Sequence, residues 1–139
     1  MTITTFSGVS AVPRRGIGLY EFDLASGAPV RLHDMDLRRL LWVPGSTASL
    51  ELTFEWARGW EPAELVETPF VIMRFLGTRI RRWDEDDEPL ILDPTWSDDP
   101  SGQVSSFDWD GASRFDLTTL SFQITLSAES VSIEAVAGL

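Results

Sequence analysis

The sequence contains no cysteine and no lysine, and it contains one histidine, His33. Without cysteine the chain can form neither a disulfide framework nor a thiolate metal site, and it has no cysteine nucleophile. All 11 basic residues are arginine, which we interpret as the codon bias of a GC-rich genome. No apolar run approaches the length of a transmembrane helix, and the N-terminal residues lack the features of a secretory signal. These absences predict a cytoplasmic protein with no membrane partner.

Catalytic signatures are also missing. His33 could serve in a serine-histidine-aspartate arrangement, but no G-x-S-x-G motif accompanies it. Adjacent strand residues point to opposite faces, so Asp34 would not orient His33, and we expect a structural histidine. Two carboxylate pairs share a predicted strand face: Glu51 with Glu55, and Asp108 with Asp110. Glycoside cleavage needs two acids across a cleft, which this spacing does not select. We therefore expect no catalytic residues and no enzymatic activity.

No motif for a cofactor or a metal is complete. The glycine pair in RGIGLY, residues 15–20, lacks the lysine and the strand-turn-helix context of a phosphate-binding loop. The stretch DWDG, residues 108–111, resembles the start of a calcium loop but lacks the later ligands. We expect no cofactor and no metal site, and we leave open whether the acidic residues bind a divalent cation.

The length of 139 residues and the 43% hydrophobic composition predict one domain with a substantial core, spanning residues 1–139. The clearest strand is SLELTFEWA, where Leu50, Leu52, Phe54 and Trp56 alternate with polar residues. Other strands are predicted at residues 18–24, 69–77, 78–83, 89–93 and 113–118. Residues 32–43 suit a strand or a helix, and we favour the strand; residues 61–67 suit a single helical turn.

The C-terminal residues alternate twice. Leu120, Phe122, Ile124 and Leu126 form one set, and Val131, Ile133 and Ala135 form the next, which predicts a closing hairpin. Together these patterns predict a mainly β, single-domain antiparallel sheet or sandwich with at most one or two short helical turns and a C-terminal β-hairpin. Residues 1–15 are expected to be flexible, and residues 84–112 to form an acidic, loop-rich region.

The negative charge is concentrated in one part of the chain. The net charge is -11, and residues 84–116 hold 11 of the 22 acids with Arg114 as their one base, for a local balance of 1 - 11 = -10. Such a field repels nucleic acid and attracts basic surfaces, so we expect no nucleic-acid partner.

Tryptophans flank this acidic run, and rigid rings beside steering charges are typical of a protein-protein interface. The alternatives are a solvated acidic loop and tryptophans that all lie in the core, Trp109 included. The predicted partner-binding residues are Trp83, Asp84, Glu85, Asp86, Asp87, Glu88, Trp96, Asp98 and Asp99.

Four segments in order suggest a family. They are LHDMDLRRLLW, LELTFEW, FVIMRFLGTRI and FDLTTLSFQITLSAESVSIEAV, between Leu32 and Val136. In these segments the chain resembles the immunity proteins of bacterial polymorphic toxin systems, in particular the group called immunity protein fifty. Where that group has an asparagine-containing middle segment, this chain has WDEDDEPLILDPTWSDDP, so no binding residue carries over there. His33 and Asp34 match by position.

The resemblance implies a non-enzymatic, β-rich cytoplasmic protein that neutralises a cognate toxin with a basic surface. The charge distribution is compatible with that role, since carboxylates can occupy a cleft built for phosphates. The alternatives are a β-sandwich module that binds carbohydrate or another small ligand through exposed tryptophans, and a structural domain.

Overall fold

The computed structural model describes residues 3–85 and 102–138, and strands are the main secondary structure within them. The strands are β1 (Thr5–Ser7), β2 (Glu21–Asp23), β3 (Pro29–Arg31), β4 (Met35–Val43), β5 (Ser49–Trp56), β6 (Phe70–Leu76), β7 (Arg79–Glu85), β8 (Val104–Trp109), β9 (Arg114–Thr119), β10 (Phe122–Ser127) and β11 (Ser130–Val136). Short 3-10 turns occur at Leu32–Asp34 and Ala63–Leu65. The predicted mainly β class and the helical turn at residues 61–67 are confirmed.

The strands form two main sheets. One has five strands in the order β1-β11-β6-β5-β4, and the other has four in the order β7-β10-β9-β8. All neighbours are antiparallel except β1, which runs parallel to β11. Strands β2 and β3 pair with each other in a small third sheet. The architecture is a sandwich of two sheets.

Aromatic rings join the two main sheets. Phe75 on β6 stacks on Phe107 of β8 with ring centroids 6.0 Å apart, and it meets Phe115 of β9 edge to face at 5.3 Å. All three rings are fully buried. Alternating residues of both sheets therefore contribute to one core.

Residues 32–43 form a strand, as favoured, but its faces differ from the simple alternation. The pairing of β4 with β5 shifts register between Leu37 and Arg39, where one extra residue is inserted as a β-bulge. After the bulge Leu40 and Trp42 pack against the core. Leu41 and Val43, which strict alternation would place inside, are exposed.

The last two strands lie where the sequence predicts them, but the prediction that they pair as a hairpin is wrong. Strand β10 pairs with β7 and β9, whereas β11 pairs with β6 and β1 in the other sheet. Their connection crosses the sandwich: Ala128 N-H donates to Ser113 O, and Glu129 N-H donates to Leu76 O. Both strands alternate because each faces the same core from an opposite side.

Residues 1–15, predicted to be flexible, and residues 84–112, predicted to be loop-rich, both contain strands. Strand β1 lies within residues 1–15, and Thr4 beside it donates its hydroxyl hydrogen to Ala128 O. Strand β8 lies within residues 84–112, and in this strand the buried Phe107 and Trp109 alternate with Asp108. Of the predicted strand at residues 18–24, only Glu21–Asp23 is a strand. The predicted strand at residues 89–93 lies outside the described residues.

Candidate functional site

The described part of the predicted site is the end of β7. Trp83 pairs with Ile124 of β10, and Glu85 pairs with Phe122. Alternation places Trp83 and Glu85 on the side of β7 that continues the core-facing side of β10. Trp83 is nevertheless 40% exposed, because it lies near the end of an edge strand.

The indole of Trp83 is held by two contacts. Its ring stacks on Phe122 with centroids 5.4 Å apart and an interplanar angle of 3°. Its Nε1-H donates to Oε1 of Glu85 over 2.8 Å. The ring therefore presents an ordered apolar surface with a carboxylate beside it.

Asp84 belongs to the opposite face of the same strand. Its carboxylate accepts a hydrogen bond from Nε of Arg82, with which it forms an ion pair. Asp84 therefore lies on a different surface from Trp83 and Glu85, although the three are consecutive in sequence.

Strand β7 carries bases as well as acids. Arg79, Arg81 and Arg82 are all exposed, so the strand has three cations and the carboxylates of Asp84 and Glu85. The acidic character begins only at the C-terminal end of the strand. The remaining predicted site residues, Asp86, Asp87, Glu88, Trp96, Asp98 and Asp99, lie outside the described residues.

Trp109 is a core residue. It is 5% exposed, meets Phe6 edge to face at 5.0 Å, and donates its Nε1-H to Ala112 O over 3.1 Å. Its ring therefore presents no stacking surface to a sugar, so Trp109 is not one of the exposed tryptophans that a carbohydrate-binding module would need.

The stretch DWDG spans the last two residues of β8, Asp108 and Trp109, and the start of the turn to β9. Oδ1 of Asp110 accepts hydrogen bonds from the backbone N-H groups of Ala112 and Arg114. This is an Asx-type turn, in which the carboxylate replaces a backbone acceptor. Across residues 3–85 and 102–138 no group of three or more histidine and acidic side chains is placed to hold a metal ion.

Asp108 lies on the outer face of the four-stranded sheet, directly across from Asp116 of β9. Burial, with the Asp116 carboxylate adding to it, raises the pKa of Asp108 above its ordinary value. Asp116 in turn accepts a hydrogen bond from the Thr125 hydroxyl. The two carboxylates lie side by side on the surface of a sheet and not on opposite sides of a cleft.

His33 lies in the 3-10 turn that precedes β4 and is exposed. Its ring meets Tyr20 edge to face with centroids 6.5 Å apart. Burial, with Glu21 and Asp34 adding to it, raises the pKa of the Tyr20 hydroxyl.

The loop between β5 and β6, residues 57–69, is an exposed surface that was not among the predicted binding residues. Trp60 in this loop is 66% exposed, and the exposed side chains of Glu64 and Glu67 follow it. The available signal was a tryptophan between Gly59 and Pro62, because breakers on both sides keep such a residue out of a strand.

Comparisons with known proteins found no match to any family model, any curated protein or any solved structure. In the described part of the chain no helix has both the length and the apolar character to cross a bilayer.

Proposed function

We propose that this protein acts by binding another protein, as an immunity protein that neutralises a bacterial toxin, and that Trp83 is an anchor of the interface. The observation that carries the proposal is the indole of Trp83, which is 40% exposed yet held by Phe122 and Glu85. An exposed ring with no contacts would be a neutral surface residue. An ordered exposed ring has the character of a binding anchor.

Because the ring of Trp83 is already held in place, its free energy of binding to a partner is more favourable. Association costs free energy for each flexible side chain that becomes fixed. Trp83 is already stacked on Phe122. A partner that covers it therefore gains the free energy of burying the ring without the further cost of fixing the side chain. Tryptophan is among the residues that most often dominate a protein-protein interface.

The charge beyond Trp83 favours a basic partner. The acidic run starts at Asp84 and continues to Glu88 in the sequence, whereas the arginines of β7 precede Trp83. A whole-chain charge of -11 adds long-range attraction to a cationic surface. A nuclease toxin with a phosphate-binding cleft is a partner of this kind, and the immunity protein would act in the cytoplasm.

The test is co-expression with candidate toxin domains chosen from the genes that neighbour this one. We expect the protein to restore growth of cells that produce the toxin domain, and the purified pair to form a complex. Trp83→Ala should raise the dissociation constant by about 30-fold or more, because it removes an interface anchor that contributes about 2 kcal/mol to the free energy of binding. Circular dichroism verifies that the variant is folded.

Val12→Ala is the control, because Val12 is also exposed and apolar but lies in the N-terminal region. It should leave the dissociation constant unchanged. A complex whose affinity is equal in the wild type and in Trp83→Ala would remove Trp83 from the interface. Absence of both growth protection and binding would contradict the immunity function.

A further inference from the structure

The loop of residues 57–69 exposes two large apolar side chains, Trp60 and Val66. Trp60 is 66% exposed and has the most exposed aromatic ring among the described residues, and Val66 is 57% exposed. A solitary exposed apolar residue needs no explanation, but a tryptophan and a valine in one short loop form a candidate contact surface.

This loop has a defined backbone structure. Its start is attached to the fold by Ala57 N-H, which donates to Asp34 O, and it turns where Trp60 N-H donates to Ala57 O, each over 2.9 Å. Its second half contains the 3-10 turn Ala63–Leu65, and Leu65 is buried in the core. The exposed side chains of Trp60 and Val66 therefore belong to an anchored loop, which lowers the entropy cost of docking.

The charge of the loop is negative and unneutralised. Residues 57–69 contain three glutamates and one arginine, Arg58, a local balance of 1 - 3 = -2. Glu64 and Glu67 are exposed, and within residues 3–85 and 102–138 neither forms an ion pair.

Carboxylates elsewhere on the five-stranded sheet are already paired. Arg74 binds Glu51, with Nε and Oε2 3.1 Å apart, and it also binds Glu134. Arg38 lies within 3.7 Å of Glu55. The acids of this sheet face are satisfied by the chain itself, whereas those of the loop are available to a partner.

We propose that residues 57–69 form a second docking surface, separate from Trp83, that binds an arginine-rich protein surface. Guanidinium groups are the chemistry that fits both components, because they stack on the face of an indole and pair with carboxylates. Trp60 supplies the ring, and Glu64 and Glu67 supply the charges. Lipid headgroups of an anionic membrane and nucleic-acid phosphates carry the same sign as the loop and would be repelled.

The test uses the full chain labelled with ¹⁵N and a hexa-arginine peptide as the probe. The indole signal of Trp60, assigned with a Trp60→Phe variant, and the backbone signals of residues 58–67 should shift on titration at low salt. The shifts should disappear at about 0.5 M salt, where charges separated by more than a few ångströms are screened.

Three variants define the surface. Glu64→Gln combined with Glu67→Gln should weaken peptide binding roughly fivefold, the loss of two exposed ion pairs. Trp60→Leu keeps an apolar side chain but loses the ring face, and should weaken binding roughly threefold. The matched control, Glu21→Gln combined with Asp23→Asn, removes the same charge from β2 and should leave the affinity of residues 58–67 unchanged.

Each other outcome overturns the proposal. Shifts confined to Trp83 and residues 84–85, or no shifts at all, would show that the loop does not bind guanidinium groups. Shifts of Trp60 with phosphatidylcholine vesicles but not with the peptide would identify a membrane contact instead. The immunity function is tested separately by growth protection, so either proposal can fail without the other.

Discussion

At the scale of single residues, two carboxylates that face each other on adjacent strands lower the stability of the sheet. Asp108 and Asp116 lie opposite each other on β8 and β9. Like charges in directly opposed positions of a sheet destabilise it. The pKa of Asp108 is raised by burial first and by Asp116 second, so the ionised form of Asp108 is disfavoured in the folded protein.

The sign of the resulting pH dependence follows from proton binding. Because the pKa of Asp108 is higher in the folded than in the unfolded chain, the folded chain binds more protons between the two values. Stability therefore decreases as pH rises through that window. We predict that Asp108→Asn, which cannot ionise, raises the free energy of unfolding at pH 7 by about 0.2–1 kcal/mol.

Urea denaturation at pH 7 and at a pH well below 3.8, the ordinary pKa of an aspartate, measures this effect. The advantage of the variant should shrink at the lower pH, where wild-type Asp108 is protonated in both states. Glu64→Gln is the control, because Glu64 is exposed and unpaired within the described residues, and it should change stability by less than about 0.5 kcal/mol. A variant less stable than wild type at pH 7 would contradict the assignment of repulsion to Asp108.

At the scale of secondary-structure elements, the pairing of β1 with β11 includes a close approach of the two backbones at Gly8. Gly8 follows β1 and has a positive φ of 84°. A Cβ atom at this position would lie 1.8 Å from the carbonyl oxygen of Ile133 on β11. Glycine is therefore needed at this position for two reasons, its backbone angle and its contact with the neighbouring strand.

A pair of alanine substitutions separates these two reasons. Gly27 has a similar φ of 90°, but a Cβ there meets no atom within 4 Å. We predict that Gly27→Ala lowers the free energy of unfolding by about 1–2 kcal/mol, the cost of the angle. Gly8→Ala should cost at least about 2 kcal/mol more, because β1 must also move from β11.

Chemical denaturation of both variants gives the comparison. Equal losses of stability at the two positions would show that the contact with Ile133 relaxes at no cost, and that the docking of β1 does not require glycine.

At the scale of the whole molecule, the two main sheets depend on a common core. Phe75 of the five-stranded sheet lies against Phe107 and Phe115 of the four-stranded sheet. The chain also crosses between the sheets at Ala128, which is buried. Neither sheet can bury its apolar face without the other, so the folded state should be cooperative.

We predict a single unfolding transition. Far-ultraviolet circular dichroism reports the strands, and tryptophan fluorescence includes Trp56 of the five-stranded sheet and Trp109 of the four-stranded sheet. The two signals should change at the same denaturant concentration. Phe75→Ala and Phe107→Ala should each lower the stability by about 3–5 kcal/mol and keep the signals coincident. Separate transitions for the two signals would show that the sheets are independent.

Strand positions were the most predictable feature of the fold. The alternation of Leu50, Leu52 and Phe54 in β5 is a local property of an extended backbone, and all three are buried as expected. The bulge after Leu37 in β4 was not predictable, because it is defined by the register with β5. One extra residue there reverses which side chains face the core.

The β class, most of the longer strands and the negative charge could be predicted from the sequence, because composition and two-residue periodicity are local, but β1, β3 and β8 were not predicted. The membership of β10 and β11 in different sheets is known only from the fold, since strand pairing depends on contacts between residues that are distant in the chain. The fold also determines which tryptophans are buried: Trp83 and Trp109 both have acidic neighbours in sequence, yet Trp83 is 40% exposed and Trp109 is enclosed by Phe6 and Phe115. Burial depends on which other strands pack over a residue, and that packing is absent from the residue's own neighbourhood in the sequence.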